Sequence, residues 1–189
     1  MMMRLNKISI ACLLAAVVLL AGCKDDDVPA LEYQQQGHIK GTLVGIASDK
    51  KTAINQSFEY TQYAPGYYPE GSAYSYYRVE SGGAVDIRIM RQNLSTGSYL
   101  SINFSLSSET DTSPDGINYS FQYITTNDPV IHFSMESGIN NDVTVTGFSF
   151  DRSSGHVKGN FTLSGADNST GNNAIITGDI DVVVKEVIQ

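Results

Sequence analysis

The chain has almost no cysteine and has no tryptophan. Its two cysteines, Cys12 and Cys23, both lie at the amino-terminal end of the 189 residues. The body of the chain therefore has no disulfide, no thiolate nucleophile and no cysteine-ligated zinc or iron–sulfur cluster. Its stability has to come from an ordinary hydrophobic core. The lack of tryptophan, whose ring offers the best stacking surface, counts against a sugar-binding module.

Basic residues are also scarce. Lysine and arginine total 12, against 20 for aspartate and glutamate. Residues 1–22 hold Arg4 and Lys7 but no acid, so 12 less 2 leaves ten basic residues against twenty acidic ones, a net charge of about −10. Such a chain repels phosphate backbones and lacks the basic clusters that bind them. The composition excludes nucleic acid as a partner and disfavours polyanionic glycans.

The motifs of common enzymes are missing as well. The chain has no Gly-x-Ser-x-Gly elbow, no His-Glu-x-x-His and no glycine loop that would hold a phosphate. Its histidines, His38, His132 and His156, are far apart, and none has a second histidine at metal-ligand spacing. We expect them to be solvated, and we predict no catalytic residue and no cofactor. Carboxylates can still pair in space without a motif.

One long hydrophobic run is present, at the start of the chain. Residues 8–20 are apolar apart from Ser9, and they follow the basic residues Arg4 and Lys7. A membrane-spanning helix needs about 20 apolar residues, so this run is too short. A basic start, a short apolar run and small residues at its end predict a cleaved signal helix.

The run ends in Leu20-Ala21-Gly22-Cys23, which resembles the bacterial lipobox at every position. The resemblance implies that the Cys23 thiol carries a diacylglycerol and that the chain is cut before it. Buried acyl chains contribute about 0.8 kcal/mol per CH₂, so two or three of them anchor a protein stably to a membrane. The expected segments are a signal peptide (1–22), an acylated cysteine with a flexible tether (23–36) and one all-β domain (37–189).

The residues behind the cysteine, Lys24, Asp25, Asp26 and Asp27, resemble the lipoprotein export signal of Bacteroidota. That resemblance implies an outer-membrane lipoprotein displayed on the cell surface. The alternative is a solvated charge run at the start of the tether, on a lipoprotein that faces the periplasm.

Beyond the tether, apolar and polar residues alternate with a period of two. Leu100, Ile102 and Phe104, for example, alternate with serine and asparagine, and no apolar stripe of helical period follows residue 30. The pattern predicts an antiparallel β-sandwich of about ten strands, with a closed β-barrel as the alternative. The predicted strands lie near 38–46, 54–63, 73–80, 84–91, 98–107, 117–126, 129–136, 142–151, 155–164 and 173–187.

Two local patterns add detail to the predicted strands. Val143 and Val145 have one parity and Phe148 and Phe150 the other, so a β-bulge at Gly147 would turn all four towards one core. The Gly-x-Phe sequence at 159–161 and the Thr-Gly-x-Ile sequence at 177–180 are similar to the C-terminal hairpin of many small Bacteroidota lipoproteins. Those proteins are all-β and mostly of unknown function.

Seven of the eleven tyrosines fall between residues 60 and 77. Tyr67 and Tyr68 lie in a segment rich in proline and glycine, where exposed rings would suit recognition of sugars or peptides. The candidate ligand-binding residues are Tyr63, Tyr67, Tyr68 and Tyr77. The alternative is that these rings fold back and cap the core.

Asp111, Asp115 and Asp167 are weak candidates for calcium ligands. They lie in loops rich in side-chain oxygens, but neither loop has a full calcium-binding pattern. Turn formation explains aspartate at such positions without any ion. We therefore predict no metal site.

The sequence favours a non-catalytic, surface-tethered lipoprotein that binds a glycan, a peptide or an outer-membrane protein partner. A small lipid-anchored hydrolase that uses paired carboxylates is one alternative. A structural envelope or adhesin component that joins partners through exposed sheet edges is another.

Replacing Cys23 by serine should abolish lipid attachment, because the hydroxyl is not an acceptor for the diacylglycerol. We expect the wild type to incorporate labelled palmitate and the Cys23→Ser variant to incorporate none. Cys12→Ser is the matched control and should label like the wild type. Labelling of the Cys23→Ser variant would show that Cys23 is not the acylated residue.

Overall fold

The computed structural model describes residues 37–46, 51–62, 75–127, 130–138 and 141–187, which form eleven strands in two sheets. The strands are β1 (Gly37–Ile46), β2 (Ala53–Tyr60), β3 (Tyr76–Val79), β4 (Val85–Asn93), β5 (Ser98–Leu106), β6 (Gly116–Ile124), β7 (His132–Glu136), β8 (Asp142–Asp151), β9 (His156–Ala166), β10 (Asn173–Val183) and β11 (Lys185–Glu186). The predicted all-β sandwich is confirmed. The alternative of a closed barrel is wrong, because both sheets keep open edges.

The chain passes from one sheet to the other three times. One sheet has the order β2-β1-β10-β9-β8 and the other the order β11-β3-β4-β5-β6-β7. The hairpin β1–β2 is followed by the meander β3–β7 in the second sheet, and β8–β10 then return to the first. Every pairing is antiparallel except that of β11 with β3. Because β10 pairs with β1, strands from the two ends of the domain meet in the middle of the five-stranded sheet.

The core lies between the two sheets, on the faces that the period of two predicts. Leu100, Ile102 and Phe104 on β5 are at most 1% exposed. Aromatic rings meet across the core, with centroids 5.4 Å apart for Phe58 and Phe121. Within the described ranges no helix has the length and apolar character needed to cross a membrane.

Two glycines in the middle of the five-stranded sheet make room for aromatic rings. Gly41 and Gly178 are opposite each other on β1 and β10. A Cβ atom would lie 2.9 Å from the ring of Phe58 at the first position and 2.6 Å from the ring of Phe161 at the second. An aromatic ring laid over a glycine offsets the weakness of glycine in a strand. The Gly-x-Phe and Thr-Gly-x-Ile sequences thus belong to one hairpin, β9–β10, whose packing depends on a residue without a side chain.

The predicted bulge at Gly147 is confirmed. The register of β8 on β9 shifts between Thr146 and Ser149, and Gly147 has a φ of +60°. That conformation favours glycine. Phe148 is buried, and Val143, Val145 and Phe150 pack against the core.

The end of the chain differs from the prediction of one strand over residues 173–187. The structure has β10 to Val183, then Val184, then the two-residue β11 in the other sheet. Val184 is 3% exposed, and its N–H donates to the Gly155 carbonyl at 2.8 Å. The alternation of Ile180, Val182 and Val184 ends at Lys185-Glu186, but nothing in the sequence shows that the chain changes sheets there.

Asp167 links the two sheets. It follows β9 and is 3% exposed. Its Oδ1 accepts a 2.8 Å bond from the Ser134 N–H in β7, while its Oδ2 accepts bonds from the N–H and the hydroxyl of Thr170 at 2.8 and 2.6 Å. Burial alone would raise the pKa of this carboxyl, but the bonds from Ser134, Thr170 and Ser169 outweigh it and lower the pKa.

Asp167→Ala should lower the free energy of unfolding by about 1–3 kcal/mol at pH 7, because it leaves the Ser134 N–H buried without an acceptor. The folded-state pKa lies below the unfolded value of about 3.9, so the carboxylate's contribution is complete above that pH. It is lost as the pH falls through the folded-state pKa. Urea unfolding at pH 7 and pH 3 should therefore show a smaller difference between wild type and variant in acid. Asp142→Ala, at an exposed position, is the control, and an equal loss at both pH values would contradict a role for the charge.

Candidate functional site

Two adjoining depressions lie where β2 leaves the five-stranded sheet. There Gln62 accepts a 2.5 Å backbone bond from Gln92 of β4, so the two sheets come together. Both depressions include Glu59 and Asn93 in their linings. We name this pair the end cleft, and its lining residues are Ser57, Phe58, Glu59, Tyr60, Thr61, Gln62, Gln92, Asn93, Leu94, Ser95, Thr96, Ser98, Tyr123, Ile124, Thr125, Thr126 and Asn127.

The inner depression of the end cleft has a volume of about 270 Å³ and lies between the end of β2, the β4–β5 turn and the end of β6. Its walls are mainly hydroxyl and amide side chains, together with Tyr123 and with Tyr60, whose ring is 2% exposed and packs in the core. Tyrosine offers both an apolar face and a polar end to a ligand. This depression therefore suits a ligand that is rich in hydroxyl groups.

The Tyr60 hydroxyl in this wall is buried and has no hydrogen-bond partner among the described residues. The nearby Ser98 hydroxyl donates to the Ile124 carbonyl at 3.1 Å, and accepts from the Ile124 N–H at 2.9 Å and from the Thr96 hydroxyl at 2.8 Å. A serine hydroxyl has one donor and two acceptor sites, so these three bonds occupy Ser98, although its closeness lowers the pKa of Tyr60 somewhat. Burial raises the pKa of Tyr60 well above its ordinary value, so it is a neutral donor.

The outer depression has a volume of about 490 Å³, within the range of small-molecule sites. Gln92 is 9% exposed, and its amide nitrogen is buried without a partner among the described residues. Leu94, which is 52% exposed, forms an apolar part of the rim. The outer depression thus combines an amide with an apolar contact.

Among the described residues that line the end cleft, Glu59 is the one that is charged. The whole chain has 20 acidic residues, so this scarcity of charge sets the end cleft apart from the rest of the surface. A single carboxylate does not make the pair that acid–base hydrolysis of a glycoside requires. An uncharged lining with many donors and acceptors favours an uncharged, hydroxylated ligand.

The candidate tyrosines are divided between described and undescribed parts of the chain. Tyr63, Tyr67 and Tyr68 lie outside the described residues. Tyr77 is 4% exposed, so its ring belongs to the core and is not an open stacking surface.

The Tyr77 hydroxyl reaches a separate, open depression of about 670 Å³. It donates to the Arg152 carbonyl at 3.2 Å and lies 3.2 Å from a Glu186 carboxylate oxygen. Arg152 is held between Glu109 and Glu186, at 2.7 and 3.1 Å. These two carboxylates converge, as a hydrolase would need, but both are paired with the guanidinium that lies between them.

The three aspartates considered for calcium bind turn groups instead. An oxygen of Asp111 accepts from the Ser108 N–H at 2.9 Å, and one of Asp115 accepts from the Ser107 N–H at 2.8 Å. Asp167 accepts bonds from β7 and its own turn. In the described part of the chain, no three histidine, cysteine or acidic side chains are placed to hold a metal ion.

Two histidines lie elsewhere and are not simply solvated, which corrects the expectation from the sequence. His38 is 3.0 Å from Asp179, and His156 is 2.6 Å from Asp181. The His156 pair is the main reason that the pKa of Asp181 is lowered. Cross-strand pairing brings each histidine to its aspartate. The two residues of each pair are far apart in the sequence, so the sequence does not predict the contact.

Cys23 and the segment Lys24–Asp27 lie outside the described residues. Sequence analysis also missed Tyr60, Gln92, Asn93 and Ser98 as site residues. The turn at 95–97 was visible in the sequence, but nothing local shows that it faces the end of β2.

Comparison with known proteins gives no match: no protein-family model, no curated protein and no solved structure is similar enough to this chain. The function of the protein is therefore inferred from the site itself.

Tyr60→Phe should leave the free energy of unfolding unchanged or raise it, because it removes a buried hydroxyl that has no partner. Tyr77→Phe is the matched control and should lower it by about 0.5–1.5 kcal/mol, since that hydroxyl is hydrogen-bonded. Urea unfolding measures both. A loss at Tyr60→Phe as large as that at Tyr77→Phe would mean that the Tyr60 hydroxyl has a partner within the protein.

Proposed function

We propose that the protein is a non-catalytic, lipid-anchored binding protein of the outer membrane that captures an uncharged glycan in the end cleft. The observation that carries the proposal is the described lining of the cleft, where hydroxyl and amide groups lie beside Tyr123 and the hydroxyl of Tyr60, and where Glu59 is the only charged residue described. Sugars present hydroxyls that both donate and accept. Threonine, serine, asparagine and glutamine side chains match them without the desolvation of a charge.

The Tyr60 hydroxyl supports the same ligand class. An unpaired buried donor is destabilising by about 1–3 kcal/mol, and such a group in a native protein calls for a partner such as a water, an ion or a ligand. The Tyr119 hydroxyl is a second such group, and it does not line the end cleft. A sugar hydroxyl that enters the inner depression would accept from it. The missing tryptophan argues against a strong stacking site, so we expect hydrogen bonds to provide more of the affinity than ring stacking does.

The lipid anchor and the cell-surface location are part of the proposal. Cys23 would hold the lipid, and Asp25, Asp26 and Asp27 would direct the protein to the cell surface. A tether of about a dozen residues would then separate the membrane from β1. A glycan-binding domain in that position would capture polysaccharide outside the cell for an uptake complex.

The test is binding of the full-length chain, purified in detergent, to an array of neutral glucose-, mannose-, galactose- and xylose-based oligosaccharides. Peptides and polyanionic glycans serve as comparison ligands. We expect at least one neutral series to bind, and Tyr60→Phe to weaken that binding about tenfold, a loss of about 1.4 kcal/mol. Tyr77→Phe should bind like the wild type. Binding of peptides alone would mean that the ligand class is wrong, and no binding at all would remove the proposal.

A further inference from the structure

The two outer faces of the sandwich differ in charge. On the five-stranded sheet, Asp179 and Asp181 of β10 lie between histidine and lysine pairs on the flanking strands. The contacts are 3.0 and 3.7 Å from Asp179 to His38 and Lys40, and 2.6 and 3.4 Å from Asp181 to His156 and Lys158. The middle of that face is occupied by these ion pairs, and Val44 and Ile175 are exposed nearer one end of it. On the outer face of the six-stranded sheet, the charges Arg78, Asp86 and Glu136 lie towards the margins, and the three central strands have a largely uncharged area.

The register of β4, β5 and β6 arranges outward-facing side chains, all but one of them uncharged, in rows across the six-stranded sheet. One row is Gln92, Tyr99 and Gln122, the next is Met90, Ser101 and Ser120, and the third is Arg88, Asn103 and Asn118. We call these nine residues the polar face. A sheet face in contact with water is normally polar. What distinguishes these three rows is that they have a single charge, although Glu136 of β7 lies beside Ser120 and Asp86 is one row further along β4.

That single charge, Arg88, is available for hydrogen bonding. It takes part in none of the ion pairs among the described residues, and its Nε is buried without a partner there. Its neighbours across the sheet, Asn103 and Tyr76, are uncharged. A guanidinium has five donors, so Arg88 can bind several oxygens of a neutral ligand.

The polar face begins at the end cleft. Gln92 lines the outer depression and belongs to the first row. Tyr99 follows Ser98 of the inner depression in sequence, and the Gln122 amide donates to the Gly97 carbonyl in the turn beside the cleft at 3.3 Å. The row of Arg88 lies four residues further along the strands, about 13 Å away. A ligand confined to the cleft would not reach it.

We propose that the ligand is an extended glycan chain that enters the end cleft and continues across the polar face to Arg88, Asn103 and Asn118. The inference rests on the proposed function and adds the length and path of the ligand. Uncharged amides and hydroxyls suit a neutral chain, whereas an acidic polysaccharide would meet a protein with an excess of acid.

The test compares oligosaccharides of two and six units from whichever neutral series binds in the array. We expect the six-unit ligand to bind about tenfold more tightly than the two-unit ligand, by isothermal titration on the full-length chain. The double variant Asn103→Ala/Asn118→Ala should lose that gain and bind the two-unit ligand like the wild type. Thr162→Ala/Thr177→Ala, on the outer face of the other sheet, is the matched control and should keep the gain.

The outcomes separate the two proposals. Equal affinity for two and six units, or a gain that survives the double variant, would overturn the extended path and leave the end cleft as the binding site. Failure of every neutral series would overturn both. If the double variant unfolds, the milder Asn103→Ser variant takes its place, with the unfolding midpoint measured beside each titration.

Discussion

The structure depends on the pairing of β1 with β10. Residues 37–45 pair with residues 174–182, so the first and last long strands form the centre of the five-stranded sheet. Gly41 and Gly178 meet in that pairing, and the rings of Phe58 and Phe161 lie over them. The contact spans almost the whole domain, so forming it closes a long loop and has a large entropic cost. The same pairing brings His38 and Lys40 beside Asp179.

A second consequence is that each sheet presents a different outer surface. The ion pairs of the five-stranded sheet are half-exposed, and surface pairs of this kind contribute little stability. Each carboxylate on that face has its own lysine and histidine partners. The polar face of the six-stranded sheet has mainly amides and hydroxyls instead. Some of them bond within the protein, as Tyr99 does with Ser120, while the Nε of Arg88 has no partner among the described residues. The end cleft lies where this second face meets the end of β2.

The arrangement gives less support to the other two function classes. The convergent carboxylates Glu109 and Glu186 hold Arg152 and do not face an empty reaction site. An enzyme would need at least one of them free, with a raised pKa. Of the edge strands, β8 is interrupted by its bulge and β11 has two residues, both features that limit edge-to-edge pairing. A ligand bound in the end cleft and on the polar face would leave the Arg152 ion pairs and the edge strands β8 and β11 as they are.

Local signals in the sequence determined much of the fold. The period of two predicted an all-β sandwich, because alternation decides which side chains are buried whatever the neighbouring strands are. The switch of parity around Gly147 predicted the bulge, because one extra residue is the only way to turn four apolar residues to one side.

Only the tertiary structure decided which strands are neighbours, and therefore where polar residues gather. Tyr60, Gln92 and Ser98 have ordinary sequence contexts, and they form a site because β2 ends beside the β4–β5 turn. The sequence does not predict that the chain changes sheets at Val184, because a buried valine fits a strand of either sheet. Many pairings of the same strands satisfy one hydrophobic pattern, and the packing of the whole core selects among them.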